Sequence, residues 1–212
     1  MLHSATRIAL VAFGAVTLFA ALLFAWRQNV KGGLGGRISR PKIAWLFYSV
    51  FVYFVVCPAL AFDSAVLPGF RWTVGLFGLS MWLRGLGELF MLYVTKNWRP
   101  PLGIAHDVLC LVLIGGTLAV FGAELAAQLR PGFPLWTAGF VGLLLVSLVL
   151  EIVYAGLFFQ AVRGRTTGDE GTWFADEEAH FVRINRLTAA FNVPLLCYLA
   201  AFLAVCLGAW PA

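Results

Sequence analysis

Apolar residues in this chain gather into long uninterrupted runs at about 5–26, 43–62, 72–95, 104–128, 136–162 and 185–209. A helix needs roughly 20 residues to cross the hydrocarbon core of a bilayer, about 30 Å thick, and each run is of that length. The breaks between them, among them Arg40-Pro41-Lys42, Pro68-Gly69, Arg99-Pro100-Pro101 and Arg130-Pro131-Gly132, are charged or carry helix-stopping residues. No run alternates with a period of two, as a barrel wall does. The pattern therefore predicts an all-α integral membrane protein, a single six-helix transmembrane domain over 1–212. The first run has Arg7 ahead of it, like a secretory signal. Its core exceeds the roughly 7–15 residues of a signal's apolar region, no A-x-A site follows, and it ends in the basic segment Arg27 to Lys42, so we read it as a retained span.

Composition agrees. Of 212 residues, 61% are hydrophobic and 12% charged, against about 25% charged in soluble domains, which excludes soluble, disordered and collagen-like classes. Positive charge then orients the spans, because Lys and Arg collect in cytoplasmic loops. The connections after the first, third and fifth runs carry Arg27, Lys31, Arg37, Arg40, Lys42, Lys96, Arg99, Arg163, Arg165, Arg183 and Arg186, and the opposite side only Arg7, Arg71 and Arg130. Both termini are thus expected on the non-cytoplasmic side of a bacterial-type inner membrane. The formal charge of +5 follows from this bias, and with no basic soluble face a nucleic-acid partner is not expected. The loop Lys31-Gly32-Gly33-Leu34-Gly35-Gly36-Arg37 lacks the G-K-[ST] ending of a phosphate cradle and reads as a linker suited to anionic lipid headgroups. Cys57, Cys110, Cys197 and Cys206 fall within runs without C-x-x-C pairing and read as buried free thiols.

The chemistry lies in ionisable residues at membrane depth, where each costs roughly 2.5–3.5 kcal/mol at a helix centre. Arg84 and Glu88 stand one turn apart on the third run, with Gly85 and Gly87 thinning that turn. Glu151, beside Tyr154 on the fifth run, has no cation within its own helix and needs a partner from elsewhere. Should Glu151 face Arg84, two carboxylates meet one cation, and the second should keep a proton. We therefore take Arg84, Glu88, Glu151 and Tyr154 as an intramembrane polar cluster.

A second group is expected at the cytoplasmic edge. Pro100 and Pro101 are read as forbidding helix, which presents His106 and Asp107 at the very start of the fourth span. With Arg99, Arg183, Asn185, Arg186 and Asn192 they outline a cytoplasmic-side pocket, and His106 and Asp107 are the candidate catalytic residues. Residues 176–186 read as a surface helix laced by ion pairs, and Pro194 as a kink in the sixth span. Trp82, off the aromatic belt formed by most of the other tryptophans, is placed for a cation–π contact with Arg84 or a ligand stack. Glu177-x-x-His180 is half of a di-iron motif without its other half, so no metal is expected. No cofactor is expected either, since His106 and His180 both lie near the surface with no second haem ligand at depth. His3 reads as a tail residue.

No catalytic signature accompanies these residues, and there is almost no extramembrane mass. The favoured expectation is a non-enzymatic membrane subunit or accessory component of a larger complex, whose intramembrane charges fasten it to other membrane subunits or to a second copy, with membrane lipids around it. One alternative is a small proton- or ion-coupled transporter using Glu151, Glu88 and Arg84, with His106 and Asp107 at the entry. The other is a membrane-embedded enzyme acting on a lipid or quinone headgroup, in which His106 is acid/base, Asp107 orients it, and Arg183 or Arg186 binds an anion.

Overall fold

The structure, a computed structural model, describes residues 2–31, 40–91, 94, 100–127, 133–162 and 179–209. These are 94% helical with no strand among them. In chain order the helices are α1 (Ser4–Lys31), α2 (Arg40–Phe51), α3 (Cys57–Phe62), α4 (Pro68–Phe90), α5 (Pro100–Ala127), α6 (Phe133–Val162) and α7 (Ala179–Leu207).

A π-helical segment, Val52–Val56, joins α2 to α3 into one rod, and the Cys57 N–H reaches back to the Val52 carbonyl. Pro58 follows at the start of α3. A proline ring in a helix interior collides with the carbonyl four residues earlier, and the wider turn of a π segment makes room for it. This insertion also turns Tyr53 into the interior, where it is buried.

Among the described residues three helices are long and apolar enough to cross a membrane: Ser4–Arg27 within α1, Leu102–Glu124 within α5 and Leu135–Leu157 within α6. Two shorter apolar stretches, Leu46–Phe62 and Asn192–Leu207, accompany them. The 23-residue α4 is about 34 Å long, but Arg71, Arg84 and Glu88 interrupt its apolar sequence.

Packing closes the helices into a ring. The α2–α3 rod packs on α4, α4 on α5, α5 on α6, α6 on α7, and α7 returns to α2. The first helix stands outside the ring against α2 and α3, and most of its large apolar side chains, such as Ile8, Phe13, Val16 and Phe19, are exposed. Inward-facing stripes at helical spacing form the core. Phe70, Val74, Phe77 and Met81 line α4, Phe140, Leu144 and Leu148 line α6, and Leu195, Leu199 and Phe202 line α7, all buried. Phe140 stacks on Phe202 with centroids 4.6 Å apart and meets Phe70 edge-on at 6.3 Å. Each such pair adds about 0.5–1.5 kcal/mol beyond the area it buries. Gly69 allows α4 to close on α5, because a Cβ there would collide with the Phe121 Cβ.

Four sequence expectations change, the last of them at His3. Helix α5 begins at Pro100, so the prolines start the helix instead of preventing it. In the first turn an N–H has no intrahelical partner, and a proline there loses nothing. Residues from Ala179 onward run straight into the last helix through Pro194 instead of forming a separate surface helix; the acidic residues 176–178 lie outside the described residues. Of the four thiols, Cys57, Cys110 and Cys206 are buried, but Cys197 is exposed.

His3 is not a loose tail residue. Its backbone N–H donates to Asp63 Oδ2 at 2.9 Å, and its Nδ1 lies 2.6 Å from Asp63 Oδ1. Asp63, in the turn between α3 and α4, also accepts from the Ala65 N–H at 2.8 Å. Burial opposes ionisation of Asp63, but hydrogen bonds from Thr6, Ala65 and His3 outweigh it and hold the carboxyl down at about 2. This tie puts the start of α1 and the end of α3 at the same end of the bundle.

Candidate functional site

Following each inward stripe away from that end, the apolar residues give way to a polar one. On α4 the stripe Phe70, Val74, Phe77, Met81 continues to Arg84, on α6 it reaches Glu151, and on α7 it reaches Asn192. Helix α5 contributes Asp107 below Cys110 and Ile114, and all three are buried. The charged and amide side chains of these helices thus gather at one level inside the ring.

Arg84 is the centre of that level. Its Nη1 donates both to Asp107 Oδ1 and, at 2.7 Å, to Glu151 Oε2. The other Glu151 oxygen, Oε1, accepts from the Tyr53 hydroxyl at 2.6 Å. Three elements and the π segment therefore converge on one guanidinium. Little of the cluster is reachable from outside: the side chains of Arg84, Glu151 and Asp107 are 18%, 11% and 0% exposed. Isolated charges at such depth are costly, and pairing offsets much of that cost. Gly103 lets the guanidinium lie against α5, since a Cβ there would be 3.3 Å from Arg84 Nη2.

His106 extends the network. Its Nε2–H donates to the Ser80 carbonyl at 2.8 Å, which leaves Nδ1 facing Asp107 Oδ1 at 3.5 Å. Cys110 Sγ lies 3.6 Å from the same ring and 3.0 Å from Ser80 Oγ. A continuous path of titratable groups then runs His106, Asp107, Arg84, Glu151, Tyr53. Among the described residues Asp107 Oδ2 has no hydrogen-bond partner. Deeper toward the apolar end, the hydroxyls of Tyr48 and Ser147 pair at 2.8 Å.

The sequence separated Arg84 and Glu151 at the midplane from His106 and Asp107 at the cytoplasmic edge, but the structure joins them. The reason is the early start of α5: Asp107 lies about 10 Å along the helix from Pro100, level with Arg84 on the antiparallel α4. Tyr154 is half-buried and engaged, and Asn192 is buried and engaged. Arg186 is exposed. The side chains of Glu88, Arg183 and Asn185, and all of Arg99, lie outside the described residues. Trp82 stacks on Phe54, with centroids 5.0 Å apart and planes inclined by 28°. Sequence reasoning missed Tyr53, Tyr48 and Ser80. Pro58 inside an apolar run was the available signal that this helix departs from regular geometry near Tyr53.

Among the described residues no group of three or more His, Cys, Asp or Glu side chains is arranged to hold a metal ion. What the arrangement can do is hold protons on either side of the guanidinium, at His106 and Asp107 on one side and at Glu151 and Tyr53 on the other, since Arg84 itself stays protonated. Comparison with family models, curated proteins and solved structures gives no significant match to any of them.

Proposed function

We propose that this chain is a six-span protein of a bacterial-type inner membrane, both termini on the non-cytoplasmic side, and that it is a small proton-coupled transporter with the Arg84–Asp107–Glu151 cluster as its coupling site. The topology rests on the six apolar runs and the concentration of Lys and Arg in alternate connections. The tie between His3 and Asp63 agrees with it, since two successive spans return the chain to the side on which it started.

The observation that carries the functional reading is the sharing of one guanidinium nitrogen by two buried carboxylates. Two carboxylates against one guanidinium leave the cluster one charge from neutrality, and in a medium of low dielectric one proton restores it, held on a carboxyl or on the His106 ring beside Asp107. Intramembrane carboxylates paired with a basic residue and facing a bundle interior are the usual elements of proton-coupled devices. The accessory-subunit reading needs intramembrane charges that reach outward to partner helices. Here Arg84 and Glu151 reach each other inside the ring, and the exposed apolar faces suit lipid.

Infrared difference spectra recorded across a pH titration of the protein in liposomes test the proposal. A carboxyl C=O band that appears on acidification and is lost in Glu151→Gln or Asp107→Asn supports it, provided both variants elute and melt as folded protein. A wild-type protein with neither a titrating carboxyl band nor a titrating imidazole band refutes it.

A further inference from the structure

The interior is strongly asymmetric about the cluster. Toward the end where α3 turns into α4, the ring is filled by Phe70, Phe140 and Phe202, then by Val74, Phe77, Leu144 and Leu148, each fully or almost fully buried. The rise of an α-helix puts Phe70 about 21 Å from Arg84, and Phe140 about 16 Å from Glu151. The polar side chains on that length of α4, Thr73 and Ser80, are each bonded to a carbonyl of their own helix, and Thr73 also to Thr117. Toward the other end the cluster is shallow: Arg84 lies about 9 Å from the end of α4 and Asp107 about 10 Å from the start of α5. Here Arg84 and His106 keep 18% and 16% of their side-chain surface exposed. Leu2, held beside the α3–α4 turn by the His3–Asp63 tie, is also buried in the core cluster.

We propose that the aromatic layer Phe70–Phe140–Phe202, with the apolar side chains beneath it, is a proton barrier. It leaves the cluster in contact with only one side of the membrane, the side on which α4 ends and α5 begins. A proton moving between the cluster and the opposite side would pass the Tyr48–Ser147 hydroxyl pair, one turn from Glu151, and then have to cross about 10 Å of packed hydrocarbon to the level of Phe140. Apolar space of this kind stays dry even when a cavity is opened in it, because water enters only where polar groups receive it. The barrier therefore depends on chemistry as well as on fit, and a hydroxyl placed in it without a partner like that of Thr73 should admit water. This barrier role rests on the reading of the cluster as a proton site, and a leak measurement separates the two.

Proteoliposomes loaded with a pH-sensitive dye, with a potassium diffusion potential driving protons inward, measure the leak directly. Phe140→Ser is expected to raise the initial leak about tenfold over wild type. Val74→Thr, close to isosteric and differing by a hydroxyl, is expected to raise it less and covers the case in which the serine variant does not fold. Phe13→Ser, on the exposed face of α1, should leave the leak unchanged. Adding Glu151→Gln to the leaking variant should return it toward wild type. A leak that survives Glu151→Gln keeps the barrier but overturns the cluster as the proton's stopping point. Folded Phe140→Ser or Val74→Thr protein with a wild-type leak overturns the barrier, as does an equal leak in Phe13→Ser.

Discussion

Replacing Arg84 by Met keeps the length and apolar stem of the side chain and removes the guanidinium. Two carboxylate oxygens, Asp107 Oδ1 and Glu151 Oε2, lose their shared donor, while Tyr53 stays on Glu151 Oε1. Breaking a buried ion pair from one side costs about 3–5 kcal/mol when the partner stays charged. The carboxylates can escape part of this by taking up protons, and the loss then falls toward that of hydrogen bonds to charged groups, about 1.5–3 kcal/mol each. We therefore expect Arg84→Met to destabilise by about 3 kcal/mol at pH 7. Glu151→Gln alone should cost less, because it removes a buried charge together with its pairing. In the double variant the two losses should not add, and a coupling of about 1–2 kcal/mol should remain. The buried thiols of Cys57, Cys110 and Cys206 provide the assay: a thiol-reactive dye follows their exposure as detergent-solubilised protein unfolds in denaturant, with Cys197 replaced by Ala to remove the exposed signal. Additive losses, or an Arg84→Met protein as stable as wild type, would show that the guanidinium does not hold the cluster together.

Two further predictions concern the opposite end of the bundle. The carboxyl of Asp63 is held below its ordinary value of 3.8, at about 2, so the native state favours its ionised form. The stability this gives is complete above the ordinary value and is lost as pH falls through about 2. Melting temperatures of wild type and Asp63→Asn should accordingly converge over that interval, and a gap that does not change with pH would refute the linkage. Gly69→Ala drives a methyl group into the Phe121 Cβ, so α4 and α5 must separate at a cost of about 1–3 kcal/mol; an unchanged melting temperature would refute that close approach.

Helix class and charged depth were legible in the sequence, because run length and the cost of ionisable residues in hydrocarbon are properties of single segments. Glu151 illustrates the point: its own run holds no cation, so a partner from another helix is required by the residue order alone. Which partner it meets depends on facing, and α6 is apolar on every side of its middle turns, so periodicity could not say which face points inward. Asp107 shows a different limit. Reading Pro100-Pro101 as a barrier to helix moved the start of α5 by a turn, and with it the depth of a carboxylate. Tyr53 depends on an irregular turn that only the packing around Pro58 reveals, and Asp63 was passed over because an acidic residue in a short turn looks solvated until something folds over it. Among the described residues three helices are long and apolar enough to cross a membrane where the sequence shows six runs, because α4 carries its charges inside the run and the others taper into polar ends.

The closed ring also has a history in the order of synthesis. Arg84, Asp107 and Glu151 are all made before α7, yet α7 supplies the wall between α6 and α2 and carries Phe202, the partner on which Phe140 stacks. Until that helix is inserted, the ion cluster can form but lies open to lipid along one side. Its pairing can therefore precede its enclosure, and a substitution that weakens α7 docking should impair assembly at the last step, after the charges have already met.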